Sequence, residues 1–215
     1  MRSLALKTAC FLHAVAISCV TARTETVFQS LNCALTFPAA WRQFPVDGTN
    51  YYALVKSEDG AKSIILEVRE VHDPRWIAVN DQFIQESRQA FLNSGAKLDS
   101  GKPILIEGFP SYEIAGRLQF QGQIVSTVAH IVIAGGKAYK INAMYLNGDA
   151  LSDTELQTSL NSFHFLRVPP RVQSPNTPSV TPANFAELIG AVIVVVLLGT
   201  GSFLIIRAVR RVKQG

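Results

Sequence analysis

One long apolar segment near the C-terminus constrains this chain more than any other feature of its sequence. Residues 188–206, from Leu188 to Ile206, contain no charged side chain. At about 1.5 Å per residue they form a helix of roughly 28 Å, which matches the hydrocarbon thickness of a bilayer. We therefore expect a transmembrane helix within 184–206, followed by a basic tail over 207–215. The cations of that tail are Arg207, Arg210, Arg211 and Lys213.

The N-terminus has the pattern of a secretory signal. Arg2 and Lys7 precede a short apolar stretch, and small residues end this stretch at Ala22. A charged start, a short apolar middle and a small-residue exit are typical of a signal peptide, here residues 1–22 with cleavage after Ala22. Two alternatives stay open: the segment is an uncleaved anchor, or Cys19 is the acylated residue of a lipoprotein.

Together the two ends predict a single-pass protein of the plasma (inner) membrane. The signal exports the N-terminal domain, and the C-terminal helix stops the export. The basic tail then stays in the cytoplasm, because segments rich in Lys and Arg are retained on that side. The membrane is therefore the first partner that the sequence predicts.

The net charge of +4 belongs to the two ends of the chain rather than to the exported part. Residues 23–183 hold 14 Lys and Arg against 15 Asp and Glu, which gives a net charge of −1. A nucleic-acid-binding domain would carry its basic residues on the folded part. We therefore expect no nucleic acid partner.

Prolines mark where the exported domain ends. Residues 168–183 contain five prolines, which is typical of an extended, semi-rigid linker. This leaves 23–167 as the extracytoplasmic domain. Once the signal is removed, Cys33 is its only cysteine, so an internal disulfide is excluded and the core must stabilise the domain.

Periodicity predicts a mainly antiparallel sheet with helices packed on both faces, an α+β fold. Helical spacing runs from Val79 to Phe91 and ends at Gly95. A second helix is expected to begin with a capping box formed by Ser152 and Glu155. Strands are expected over the ranges 31–37, 51–57, 63–71, 112–120, 124–134 and 137–146.

Three of these elements carry further detail. The strand over 124–134 is apolar on both sides, so it requires a covering layer on each face of the sheet. In the strand over 112–120, Glu113, Arg117 and Gln119 alternate with apolar residues, which predicts a half-buried strand. At the last helix, Leu151 is expected to pack against Leu156 across the cap.

Two short motifs frame this order of elements. The first follows the first strand and the second ends the domain: Phe37, Pro38, Ala39, Ala40 and Trp41, and Ser162, Phe163, His164 and Phe165. With these motifs the order resembles the PsbP/Mog-like family, which includes DcrB-like envelope proteins. The resemblance covers residues 27–166 and implies an α/β/α sandwich with an antiparallel sheet. It implies a binding or assembly module and no catalytic residues. The added C-terminal span departs from the soluble members of the family, so their partners are not carried over.

The histidines and the cysteine of the exported domain do not form a known catalytic or metal-binding motif. His72, His130 and His164 lack the spacing of metal ligands. His130 lies in an apolar strand and is interpreted as a hydrogen-bonded core residue. Cys33 is interpreted as a buried thiol, because a nucleophile would need a neighbouring base. We therefore expect no catalytic residue, no metal ion and no cofactor.

Two further groups of residues have structural interpretations. Residues 58–60, Glu-Asp-Gly, are interpreted as a hairpin turn rather than as a carboxylate pair. Trp41 and Trp76 are expected to pack in the core.

Three hypotheses about function follow in order of preference. The first is a membrane-tethered, non-enzymatic binding or assembly module with an unidentified envelope protein partner. The second is a periplasmic small-ligand carrier or chaperone with a cleft near Trp41. The third is a thiol enzyme that uses Cys33.

Overall fold

The computed structural model describes residues 22–46, 51–72, 76, 78–120 and 122–171. Within these ranges the chain forms two antiparallel sheets and two α-helices. The strands are β1 (Arg23–Phe28), β2 (Cys33–Pro38), β3 (Arg42–Phe44), β4 (Tyr51–Lys56), β5 (Lys62–Glu70), β6 (Lys97–Ile106), β7 (Phe109–Phe120), β8 (Gln123–Ala134), β9 (Lys137–Leu146) and β10 (His164–Phe165). The helices are α1 (Asp81–Asn93) and α2 (Thr154–Asn161).

The larger sheet has the strand order β3-β4-β5-β9-β8-β7-β6, and every pairing in it is antiparallel. Strand β8, which lies between β9 and β7, is buried from Val125 to the end of the strand. Covering layers therefore lie on both faces of the sheet, as the apolar pattern of this strand predicts.

One face of this sheet is covered by α2 together with the small sheet, whose order is β1-β2-β10. Leu156 and Leu160 of α2 and Phe165 of β10 share one apolar cluster with Val128 and Ile141 of the large sheet. This layer is therefore built from a helix and three short strands, which adds a small sheet to the predicted sandwich.

The opposite face is covered by α1. Phe83 and Phe91 of this helix share a second apolar cluster with Tyr112 and Ile131 of the sheet. Gly116 lies beneath the helix, and a Cβ atom there would stand 2.6 Å from Cε1 of Phe91. The predicted helix and its end are confirmed: after the helix, Gly95 has a φ of +81°, which L-residues rarely adopt.

The predicted capping box of the second helix is wrong. The N-cap is Asp153, whose Oδ1 accepts a hydrogen bond from the backbone N–H of Leu156 at 3.0 Å. Glu155 instead accepts a hydrogen bond from Lys62 Nζ at 2.7 Å, and Leu151 is 40% exposed. Asp153 is also paired with Lys62, so a contact with a distant strand helps to set the start of this helix.

The first predicted strand also begins later than expected. Leu31 ends a short 3₁₀ turn, and Asn32 follows with a φ of 58°. This left-handed conformation breaks an extended strand, so β2 starts at Cys33.

Most of the predicted terminal segments lie outside the described residues. These are the signal peptide apart from Ala22, the transmembrane helix over 184–206 and the tail over 207–215. Of the predicted linker, residues 168–171 are described, and they have no regular secondary structure. In the described ranges, neither helix has the length and apolar character needed to cross a bilayer.

Candidate functional site

Three polar side chains form a row across three neighbouring strands, on the face that α2 covers. Lys102 of β6 lies opposite Glu113 of β7, and Glu113 lies opposite His130 of β8. Lys102 Nζ is 3.1 Å from Oε1 of Glu113, and His130 Nε2 is 3.2 Å from its Oε2. Side chains directly opposite in an antiparallel sheet share one face, so the register alone brings these groups together.

Glu113 is the buried centre of the row. Its side chain is 7% exposed, whereas that of Lys102 is 61% exposed. Oε1 is ion-paired with the ammonium group of Lys102, but that contact lacks hydrogen-bond geometry, and Oε1 accepts no hydrogen bond from the described residues. A carboxylate oxygen has two lone pairs, so Oε1 keeps room for a hydrogen-bond donor beside this ammonium group.

His130 is held in its neutral form. Burial lowers the pKa of this imidazole, and the neighbouring Glu113 opposes the shift only in part. Since Nε2 faces a carboxylate, we assign the proton of the neutral ring to this nitrogen, which then donates to Oε2. Nδ1 consequently remains an acceptor. The interpretation of His130 as a hydrogen-bonded core residue is confirmed.

Glu113 and His130 border a cavity of about 460 Å³ between the large sheet and α2, called the Glu113 cavity below. Its apolar walls are Ile104, Leu105, Ile106, Leu160 and Phe163. Its polar lining adds Lys102, Glu107, Gln157 and Asn161 to Glu113 and His130. The cavity thus combines several apolar side chains with a buried carboxylate, and its lining surface is more polar than apolar.

The charges of the Glu113 cavity favour a cation. Two carboxylates, Glu107 and Glu113, line it against one ammonium group, that of Lys102, and His130 is neutral near pH 7. A protonated amine on an apolar body would donate to Oε1 of Glu113 while its body contacts the aliphatic walls. The arrangement is suited to recognising such a group.

The sequence did not indicate Lys102 or Glu113 as site residues. Glu113 was assigned to a half-buried strand, but β7 is buried on both faces from Ser111 to Gly116. The alternation is confirmed only in the second half of the strand, where Arg117 and Gln119 are exposed. The signal that could have identified Glu113 was its place opposite His130, which requires the strand register.

A second buried polar cluster lies on the other face of the sheet. Glu67 of β5 stands opposite Lys140 of β9, and both are at most 5% exposed. Arg69 Nε donates to Oε1 of Glu67 at 2.7 Å. Burial lowers the pKa of Lys140 to about 8, against the opposing effect of Glu67, and burial also raises the pKa of Glu67.

The structure separates the remaining residues that the sequence singled out. His72 follows β5, and His164 lies on β10, where its Nδ1 contacts the carbonyl oxygen of Ser162 at 3.0 Å. Trp41 packs at the margin of one apolar cluster, and Trp76 is buried in the other. In the described part of the chain, no three side chains of the types that hold a metal ion lie together.

Cys33 is fully buried, which confirms its interpretation as a buried thiol. Burial raises its pKa to about 12, although Lys137 opposes the shift. A thiol that remains protonated at neutral pH is a poor nucleophile.

The Glu-Asp-Gly turn is also confirmed. Oδ1 of Asp59 accepts hydrogen bonds from Ser57 Oγ and from the backbone N–H of Ala61, between β4 and β5. These hydrogen bonds fix the loop, so the role of Asp59 is to stabilise the hairpin turn.

No family model matches the chain, and no curated protein matches it either. Solved structures do match. The cyanobacterial PsbP protein CyanoP from Synechocystis sp. PCC 6803 is 14% identical with a TM-score of 0.52, over 72% of this chain and 98% of its own. LpqN, involved in cell envelope biogenesis of Mycobacterium tuberculosis, is 14% identical with a TM-score of 0.47, over 67% and 84% of the two chains. The likeness to CyanoP shows the fold alone: the described domain has a PsbP-like fold, as the sequence resemblance implied.

Proposed function

We propose that the protein is a membrane-tethered extracytoplasmic binding module that recognises a protonated amine on an apolar body in the Glu113 cavity. One observation carries the proposal: Oε1 of Glu113 is buried at the border of this cavity and accepts no hydrogen bond from the described residues. Binding, rather than bond breaking, is the function proposed for the site.

The free energy of binding would come from two sources. A donor at Oε1 of Glu113 would add a charge-assisted hydrogen bond to this buried carboxylate. Apolar contact with Ile104, Ile106 and Phe163 would add about 25 cal/mol for each Å² removed from water. The cavity volume of about 460 Å³ lies within the range of roughly 300–1,000 Å³ that small-ligand sites occupy.

Lys102 would compete with the ligand. Its ammonium group lies 3.1 Å from Oε1 of Glu113, but its side chain is 61% exposed and makes no hydrogen bond to that oxygen. Because Glu113 is buried, displacing this ammonium group is unfavourable unless another cation replaces it, and the amine of the ligand would do so at the same oxygen. Removing Lys102 should therefore strengthen amine binding, whereas removing the charge of Glu113 should weaken it.

The tethering and the location of the domain are proposed from the sequence. The N-terminal signal, the proline-rich linker over 168–183 and the apolar segment over 188–206 with its basic tail support them. An amine-binding module outside the plasma membrane combines the preferred hypothesis of a binding module with the small-ligand alternative. The proposed binding site lies at Glu113 and not at the cleft expected near Trp41, because Trp41 does not line this cavity.

The test measures ligand-induced stabilisation of the full chain in detergent micelles. We expect 2-phenylethylamine to raise the melting temperature of the wild type, since a ligand that binds only the folded state stabilises it. The uncharged 2-phenylethanol and the anionic phenylacetate should raise it less. In Glu113→Gln the amine effect should be lost, and in Lys102→Met it should grow.

Glu58→Gln is the matched control, because Glu58 is exposed in the turn between β4 and β5. This variant should respond to the amine as the wild type does. No amine-induced shift in the wild type, or an equal shift in Glu113→Gln, would refute the proposed function.

A further inference from the structure

Strand β6 ends the large sheet, and its outer edge is not paired with any strand in the described ranges. The strand is ten residues long, and Leu105 is 73% exposed. An open edge offers a row of backbone N–H and C=O groups that another extended chain can use.

Pro103 shows which residues of β6 face outward. Proline has no N–H, so within a sheet it takes edge positions where its nitrogen faces away from the neighbouring strand. Backbone groups alternate between the two sides of an antiparallel strand. The N–H and C=O groups of Gly101 and Leu105 therefore point away from β7, to the same side as the nitrogen of Pro103. Those of Lys102 and Ile104 point toward β7.

Two cavities adjoin this same stretch of β6, and Ile104 and Leu105 line both of them. The Glu113 cavity lies on the side of α2 and is also bordered by Lys102 and Ile106. A second cavity of about 350 Å³ lies between β6 and the start of α1, and is called the Leu105 cavity here. Its apolar lining is completed by Val79, Ile84, Pro103 and Pro110.

This geometry matches what an added strand requires. Successive side chains of an extended peptide point to opposite faces of a sheet. A strand placed beside β6 would direct one side chain toward the Glu113 cavity and the next toward the Leu105 cavity. In recognition by strand addition, backbone hydrogen bonds supply affinity, and pockets for alternate side chains supply specificity.

We infer that β6 binds an extended segment of a partner protein as an eighth strand, with a basic side chain in the Glu113 cavity and the adjacent apolar side chain in the Leu105 cavity. This inference rests on the proposed function for the charge of the first side chain. The partner segment is thus a lysine followed or preceded by a large aliphatic residue, in an extended stretch without proline.

Charge and chemistry favour such a partner over a second copy of this chain. Self-pairing of two β6 strands would bring together the cations Lys97 and Lys102 of both copies, and each copy lacks one outward donor at Pro103. Lysine and proline on an edge strand weaken pairing with any added strand, and in a pair of β6 strands they would occur twice. A foreign strand with one lysine instead places that cation against Glu107 and Glu113.

The probe is a synthetic peptide, acetyl-Ser-Thr-Val-Lys-Leu-Thr-Ser-amide, labelled with a fluorophore. Its anisotropy is followed as the full chain in detergent micelles is added. We expect saturable binding, which Glu113→Gln weakens tenfold or more. Replacing the peptide's lysine with glutamate should weaken binding by a similar factor, whereas the Glu58→Gln control should not.

N-methylation of the peptide tests strand addition without any change to the protein. Methyl groups on the backbone nitrogens that face β6 should weaken binding at least tenfold. Methyl groups on the nitrogens that face away from β6 should change the dissociation constant by no more than about twofold. If methylation of the two sets of nitrogens had equal effects, or if neither had an effect, pairing with β6 would be contradicted.

Ile84→Lys separates this inference from the proposed function, because Ile84 lines the Leu105 cavity and does not line the Glu113 cavity. The variant should lose peptide affinity yet keep the melting-temperature shift with 2-phenylethylamine, which also reports that it is folded. Leu105→Pro tests the strand edge itself. It removes an outward N–H while sparing the ladder to β7, as Pro103 already does, and should also weaken peptide binding.

The outcomes are decisive in each direction. If neither the amine nor the peptide binds, the proposed function and this inference are both overturned. A response to the amine with no peptide binding up to about 1 mM overturns this inference alone. Concentration-dependent dimerisation that Leu105→Pro abolishes would assign the edge to a second copy instead. Peptide binding seen only after 172–183 are replaced by a glycine–serine linker would assign it to the chain's own linker.

Discussion

Lys62 of β5 and Asp153 at the start of α2 form an ion pair, with 2.6 Å between Nζ and Oδ2. Both side chains are less than one-fifth exposed, and the same ammonium group bonds Glu155 at 2.7 Å. Although burial of Lys62 acts to lower its pKa, hydrogen bonds and charge from Asp153 and Glu155 raise it overall. This junction joins the helix that covers the Glu113 cavity to the large sheet.

Asp153→Ala should destabilise the domain more than Ser152→Ala. Asp153 caps α2 and pairs with Lys62, whereas Ser152 Oγ makes only a 3.4 Å contact with the carbonyl oxygen of Asp149. Loss of an N-cap lowers the free energy of unfolding by about 1 kcal/mol, and loss of the ion pair adds to this. Urea unfolding of the two variants checks the difference. Equal losses, or a larger loss in Ser152→Ala, would restore the capping box that the sequence predicts.

Stability should fall as the pH drops below about 6.5, and His130 should cause part of the fall. Because burial lowers the pKa of His130, the unfolded chain binds a proton at a higher pH than the folded one. His130 therefore makes its full contribution to the free energy of unfolding above the pKa that it has in the unfolded chain. This contribution declines as the pH falls toward its pKa in the folded chain. Urea unfolding between pH 5 and pH 8 should show a shallower decline in His130→Asn than in the wild type.

His72→Asn is the comparison variant for the pH series, because His72 is exposed after the end of β5. The difference between its slope and that of His130→Asn measures the part of the decline that depends on the buried position of His130. A decline that is unchanged in His130→Asn would show that other groups cause the pH dependence.

Cys33 should not react with a thiol reagent while the domain is folded. Its side chain is fully buried, and burial raises its pKa to about 12, so very little thiolate is present at pH 8. Ellman's reagent should label it only after denaturant is added. Rapid labelling of the native protein would revive the hypothesis of a thiol enzyme.

Labelling of engineered cysteines should establish the predicted topology. Ser179→Cys in the linker should react with an impermeant maleimide on intact cells, in a Cys33→Ala background. Gln214→Cys in the basic tail should react only after the membrane is broken, because its neighbouring cations are retained in the cytoplasm. Labelling of the tail but not of the linker would show an inverted orientation.

Features that depend on neighbouring residues in the chain could be predicted from the sequence. The two-sided apolar pattern over 124–134 predicted covered faces, and the spacing from Val79 to Phe91 predicted α1. The turn at Asp59 followed from its sequence as well. Such patterns repeat every 2 or 3.6 residues, so a short stretch of chain contains them completely.

The candidate site depended on contacts that no local pattern contains. Lys102, Glu113 and His130 meet only because β6, β7 and β8 pair in one register, and a shift by one residue would turn Glu113 to the other face. Likewise, Asp153 rather than Ser152 caps α2 next to Lys62, which is more than 90 residues away along the chain. The sequence alone determined the alternation, the helix spacing and the predicted membrane topology. The tertiary structure decided that Glu113 is buried between Lys102 and His130 at the border of a cavity, because burial and pairing arise only when distant strands come together.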